Sequence, residues 1–161
     1  MDQTLTSFRS LSNAAPGEGV AERQRRAARE LPEVVEQSAL NWWEKDAPLP
    51  DDDSFLLIGV AVWSGYDLNT LDHVEAAVRA GTAPGLQVYV FDADTMLSQD
   101  EVEAVFPGLG SIHHTPIVGL WRGGKLVERE CGYLGRQVIA RALNIDDKPL
   151  HERITATVSS T

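Results

Sequence analysis

The apolar positions fall into segments with distinct periods. "FLLIGVAVW", from Phe55 to Trp63, is a continuous apolar run and predicts a strand buried on both faces. "TLDHVEAAVRA" then carries Leu71, Val74 and Val78 at helical spacing, and Gly81 and Pro84-Gly85 break it. "LQVYVFDAD" predicts a second strand. Ser98 and Glu101 have capping-box spacing ahead of a short helix, "QDEVEAVF", which Pro107-Gly108 stops. "PIVGLW", "RGG" and "KLVEREC" predict a hairpin with a glycine turn, and "YLGRQVIARALN" a closing helix that buries Val138, Ile139 and Leu143. The order is strand-helix-strand-helix-strand-strand-helix. A right-handed crossover makes the first two strands parallel, and the hairpin adds two antiparallel ones. The expectation is an α/β domain over residues 55–145, with a central mixed four-stranded sheet flanked by helices. There is no internal repeat.

Upstream the pattern changes. Residues 1–18 are polar and aperiodic and predict a flexible tail. "GVAERQRRAAREL" is rich in helix formers. Pro32 is expected to end or kink that helix or to begin another. "PEVVEQSALNWWEK" reads as a second helix with Val35, Ala39, Trp42 and Trp43 on or near one side. Residues 19–46 thus form an N-terminal helical extension. Its first half has a thin apolar stripe and is expected to be the more mobile half, whereas the second is expected to pack on the domain. "DAPLPDDDS" is a linker, and residues 146–161 are a C-terminal tail.

Composition narrows the class. The net charge is −10, from 24 acids and 14 bases, so nucleic acid and anionic membrane are unsuited partners. The acidity is local: residues 44–107 hold 13 acids against two bases, Lys45 and Arg79. No apolar stretch has the length of a membrane span. The start has no signal-peptide core, and there is one cysteine, Cys131. These features lead us to expect a cytoplasmic protein without an internal disulfide.

Candidate chemistry centres on "WSGYD", Trp63 to Asp67, at the junction of the first strand and its helix. "TP", Thr115-Pro116, precedes the hairpin; Gly124 lies eight residues further on, and Gly132 eight beyond that. In this order of elements the four features resemble the thioredoxin-like family over about residues 55–145. "WSGYD" stands where the family has Trp-Cys-Gly-Pro-Cys, and Pro116 where it has a cis-proline. The resemblance implies that Ser64 and Asp67 replace the two redox cysteines, that Tyr66 replaces the proline between them, and that Ile58 replaces a buried aspartate. Dithiol exchange needs a thiolate, and a serine without an adjacent base is no substitute. Disulfide oxidoreductase activity at this motif is therefore excluded on chemical grounds.

Ser64 reads either as a helix cap or as a hydroxyl donor to a substrate thiolate, and Asp67, as an acid in the same first turn, opposes a bound anion. Cys131 reads as a buried small hydrophobe or as a reactive thiol. His113 and His114 are adjacent and lack a third ligand nearby, so no metal is expected; His73 and His151 read as surface residues. The resemblance implies that Thr115 offers its main-chain groups to an extended segment, a form of strand addition. Trp42 and Trp43 read as core, or as partner anchors.

The expected function is that of a non-catalytic protein-binding module without cofactor: an adaptor, assembly factor or complex subunit. Its binding surface would comprise Trp63, Ser64, Tyr66, Asp67, Thr115 and Pro116, facing a protein with a basic or neutral contact patch. The alternative is a glutathione- or thiol-using enzyme with Ser64 or Cys131 in its active site. The lack of basic residues near the motif in sequence counts against it, because glutathione's carboxylates need partners.

Overall fold

The apolar run at Phe55 becomes the central strand of a mixed sheet. The computed structural model of the chain describes residues 7–154. Its elements are α1 (Val20–Glu36), β1 (Asn41–Trp42), β2 (Ser54–Val60), α2 (Gly65–Ala80), β3 (Gln87–Asp92), α3 (Gln99–Val105), β4 (Ile117–Arg122), β5 (Lys125–Cys131) and α4 (Gly132–Leu143). The sheet has five strands in the order β1-β3-β2-β4-β5, not the four expected. The β1–β3 and β3–β2 pairs are parallel, and the β2–β4 and β4–β5 pairs antiparallel. Gly123 and Gly124 make the hairpin turn at φ 59° and 79°, a positive-φ pair that suits the strand twist.

The fifth strand is made from the segment expected to be a helix. α1 ends at Glu36. The Ser38 hydroxyl then donates to Val35 O and accepts from Leu40 N–H, and Ala39 N–H donates to Glu75 Oε2. These bonds turn the chain into extended geometry, and Trp43 N–H donates to Val90 O on the open edge of β3. Side chains alternate sides along a strand. Trp42 accordingly packs on one core and Trp43 enters the other, edge-on to Phe91 at 5.4 Å. Helical periodicity over 33–45 was misleading because a two-residue strand has no period to read, and the unsatisfied edge of β3 decided the conformation.

Two cores flank the sheet. Leu56, Ile58 and Val60 of β2 face α1, α2 and α4, together with Val88, Val90, Val118 and Leu120. Phe55 and Leu57 point the other way, into an aromatic core with Phe91, Phe106 and Trp121. Phe55 stacks on Trp121 at 4.8 Å. The aromatic side is crowded to the point of excluding methyl groups. A Cβ at Gly59 would lie 2.4 Å from the Phe91 ring, and one at Gly119 2.5 Å from the Trp121 ring.

The termini differ from expectation as well. Residues 1–18 were expected to be a loose tail; of these, 1–6 lie outside the described residues. Phe8 and Leu11 are buried in the helical core. Asp72 fixes them in place, since it accepts from Phe8 N–H at 2.7 Å and from Arg9 Nε at 2.8 Å. α1 runs unbroken through Pro32 and buries Ala27, Leu31, Val34 and Val35. The expected break is overridden because apolar residues on both sides of the proline are held by the same core. The first half of α1, expected to be mobile, is tied through Arg26, which pairs with Glu18 at 2.8 Å and donates to Asn13 O. At the other end, Leu150 is fully buried, and Pro149 O and Leu150 O accept from Asn69 and Thr70 of α2. Residues 146–154 are therefore part of the domain, and 155–161 lie outside the described residues. No helix among the described residues is long and apolar enough to cross a membrane.

Candidate functional site

The C-terminal end of β2 delivers Trp63 and Ser64 directly to the start of α2. Ser64 is that helix's N-cap: its Oγ accepts from Asp67 N–H at 3.3 Å. The hydroxyl therefore performs the capping role. The same turn throws Trp63 and Tyr66 outward, 54% and 43% exposed. Rings of this size usually stay covered. The Trp63 indole N–H donates to Asp94 at 3.1 Å, which steadies the ring at the rim.

The loop before β4 meets this turn. The Thr115–Pro116 bond is cis. Pro116 is buried, and its carbonyl accepts from Gly132 N–H at 2.9 Å. Gly132 takes φ 64° and passes so close to His114 that a Cβ would lie 2.9 Å from the imidazole-bearing carbon. Among the described residues Thr115 N–H and C=O make no main-chain hydrogen bond. A cavity of about 390 Å³ opens here, bounded by Trp63, Ser64 and Tyr66 on one side and by His113, His114 and Thr115 on another. Gly132, Tyr133 and Arg136 of α4 complete it. Beyond Thr115 lies a second cavity of about 300 Å³, walled in part by Met96, Leu97 and Ile112.

Of the six expected surface residues, Trp63, Ser64, Tyr66 and Thr115 converge on the cavity. Asp67 and Pro116 do not present themselves to it. Asp67 is fully buried beneath the motif. Its Oδ2 accepts from Ala61 N–H at 2.8 Å, and its Oδ1 has no hydrogen-bond partner. Burial pushes this carboxyl up to about 6, against the nearby Thr115 hydroxyl, the Ala61 amide and the Arg136 charge, although no hydrogen bond closes on Oδ1. Asp67 was expected on the binding surface, in the first turn of the helix. The strand-to-helix turn instead aims it inward, toward the end of β2. The possible partner anchors Trp42 and Trp43 are core-facing, and the Trp43 indole donates to Pro48 O at 3.0 Å.

Arg136, which sequence reasoning passed over, and His151, which it read as a surface residue, meet at the site. Arg136 is 9% exposed and lies over the rings of Tyr66 and Tyr133, at 5.5 and 5.9 Å. Burial pulls its pKa down while Asp67 acts in the other direction; a guanidinium nonetheless stays charged. Its Nε donates to His151 Nδ1 at 2.9 Å, and His151 Nε2 meets Asp147 Oδ2 at 3.0 Å. His151 also stacks on Tyr133 at 3.9 Å, so it is a positioning residue, not the surface histidine expected. The signal in the sequence was an arginine on the apolar side of "YLGRQVIARALN", three positions before Ile139 and seven before Leu143. Arg153 lies close to Gly65 as well. The basic groups expected to be missing near the motif are thus supplied by the far end of the chain.

Cys131 is half-buried at the N-cap of α4, paired in register with Ile117. His113 and His114 are exposed. Among the described residues no three His, Cys, Asp or Glu side chains gather as a metal site requires. No family model, no curated protein and no solved structure matches the chain.

Proposed function

We propose that the chain is a redox-inactive thioredoxin-like protein-binding module, an adaptor, assembly factor or complex subunit, which recognises an extended segment of a partner at Trp63, Tyr66 and Thr115. The observation that carries the reading is the juxtaposition of two exposed rings with a main-chain edge, Thr115, whose N–H and C=O make no main-chain hydrogen bond among the described residues. Exposed aromatics beside unpaired main-chain groups suit strand addition with side-chain anchors. The finer fold assignment draws support from the order β2-α2-β3-α3-β4-β5-α4, with "WSGYD" at the first strand-to-helix turn and Thr115-Pro116 across the cavity from it. The motif has no thiol, and Ser64 serves as the cap, which supports binding over dithiol exchange. The partner presents a basic or neutral face to the acidic surface of residues 44–107. The single cysteine supports a reducing, cytoplasmic setting.

A glutathione-type enzyme is the second reading, and Arg136 favours it, since that guanidinium lies in the cavity beside Ser64. Two measurements separate the readings. A photoreactive side chain placed at position 66 is expected to give discrete protein adducts in native cells, with none from position 127 on β5. Titration calorimetry with glutathione is expected to give no binding. Saturable glutathione binding together with conjugating activity would replace the binding-module reading.

A further inference from the structure

Arg136 has more hydrogen-bonding capacity than the fold uses. Its Nε is committed to His151. Among the described residues no acceptor meets either Nη group, although the side chain is nine-tenths buried and lines the cavity. Asp67, the carboxylate behind it, forms no contact ion pair with it and itself keeps Oδ1 unpartnered. Among the described residues the Nη groups are not fully buried unpartnered atoms; they open onto the cavity, where water meets them until a better acceptor displaces it. Planar, bidentate acceptance by a carboxylate is the strongest completion available.

We infer that the cavity over Arg136 receives one acidic side chain of an extended partner segment that crosses Thr115. The inference rests on the groove reading above. Among the described residues no carboxylate lines the cavity, and its volume of about 390 Å³ is at the small end for ligand sites. The Tyr66 and Tyr133 rings stand over the guanidinium, so a carboxylate on a side-chain stem reaches it while the main chain stays at the mouth. A chain-terminal carboxylate would have to draw its own peptide groups in and desolvate them. Beyond Thr115 the second cavity offers Met96, Leu97 and Ile112. A segment paired with Thr115 can therefore place its acid on one side and an apolar side chain on the other. Asp94, exposed at the rim, disfavours further negative charge, so the acid is flanked by neutral or basic residues.

The test uses the full chain and four acetylated heptapeptides of alternating Val and Thr. Three are C-terminally amidated with Glu, Gln or Lys at the centre, and the fourth has a central Gln and a free carboxyl terminus. Affinity is read by intrinsic tryptophan fluorescence, and the Arg136 Nε–H and Thr115 amide resonances are followed by NMR. The Glu peptide is expected to bind at least about tenfold more tightly than the Gln peptide and to move the Arg136 Nε–H resonance, as a charge-assisted hydrogen bond requires. The Lys peptide is expected to bind no better than Gln. Arg136→Gln, with its fold checked by circular dichroism, is expected to abolish the preference. The NMR measurement needs no variant and stands if that one unfolds. Equal affinity for Glu and Gln with the Thr115 amide moving would overturn the inference and leave the groove. Tighter binding of the free-carboxyl peptide than of the Glu peptide would likewise overturn the side-chain assignment. No movement of Thr115 or Arg136 with any peptide at about 1 mM, the threshold of a weak complex, would overturn both the inference and the groove.

Discussion

Asp67→Asn should make the protein more stable at neutral pH, and the gain should vanish in mild acid. The wild-type carboxyl is raised from 3.8 to about 6 by burial. The folded state therefore holds that proton more tightly than the unfolded chain. The stabilisation is fully present below about pH 3.8 and is lost as pH rises through about 6. At about 1.4 kcal/mol per unit, ionising Asp67 in place costs roughly 3 kcal/mol above pH 6. Asparagine keeps an acceptor for Ala61 N–H, cannot ionise, and sets an amide where Oδ1 now lacks a partner. At pH 7.5 the variant should be more stable by about 2–3 kcal/mol, which is roughly 4–12 °C in Tm for a chain of this size. At pH 4.5 the difference should shrink to below about 1 kcal/mol. Thermal and urea melts of both proteins between pH 4.5 and 8 measure it. Further acidification should weaken both alike, since Glu18 is held down to about 2 by its hydrogen bond to Arg26, and Glu101 is lowered by Lys45. Parallel stability curves, or a variant less stable at pH 7.5, would refute the assignment of Asp67 as a carboxylate ionised at a cost.

Phe8→Ala should cost about 3–4 kcal/mol in urea melts, the usual loss for a fully buried ring, and a cost under about 1 kcal/mol would mean that the N-terminal turn does not belong to the core. Gly59→Ala should destabilise by about 1–3 kcal/mol because its methyl meets Phe91; an unchanged midpoint would contradict that packing. Ser64→Ala should cost about 1 kcal/mol through loss of the cap, while the Gln-centred peptide binds as before; loss of peptide binding with stability intact would make the hydroxyl a ligand contact. The wild-type chain should show no disulfide reductase activity with insulin, and turnover in that assay would contradict the chemistry of the motif.

Length and pattern were sufficient for the elements from Phe55 to Leu143, though not for the turn at Lys148–His151. A buried strand, an amphipathic helix and a glycine-turned hairpin each carry a local period or breaker, and their order limits the topology. That "WSGYD" and Thr115 face one another was expected only from the resemblance to the thioredoxin-like family; no local period carries it. What happened to Trp42 and Trp43 was not legible. Asn41–Trp42 is too short a strand to carry a period, and only the open edge of β3, built from residues 87–92, made it one, with Trp43 N–H bonded to Val90 O just beyond it. Phe8 and Leu11 are two apolar groups in a polar tail, and their burial depends on Asp72 and the α2 surface, about 60 positions away.

The site divides along the same line. From its own residues the chain determined which groups stand at the motif, that no thiol is among them, and that Ser64 could cap a helix. Tertiary structure decided that Asp67 turns inward and becomes a carboxyl with a raised pKa, and that Arg136 and His151 come to the same cavity from the end of the chain. Local sequence controls dihedral preference and periodicity, which act over a few residues. Burial, desolvation and the meeting of charges depend on distances that only the packed chain defines.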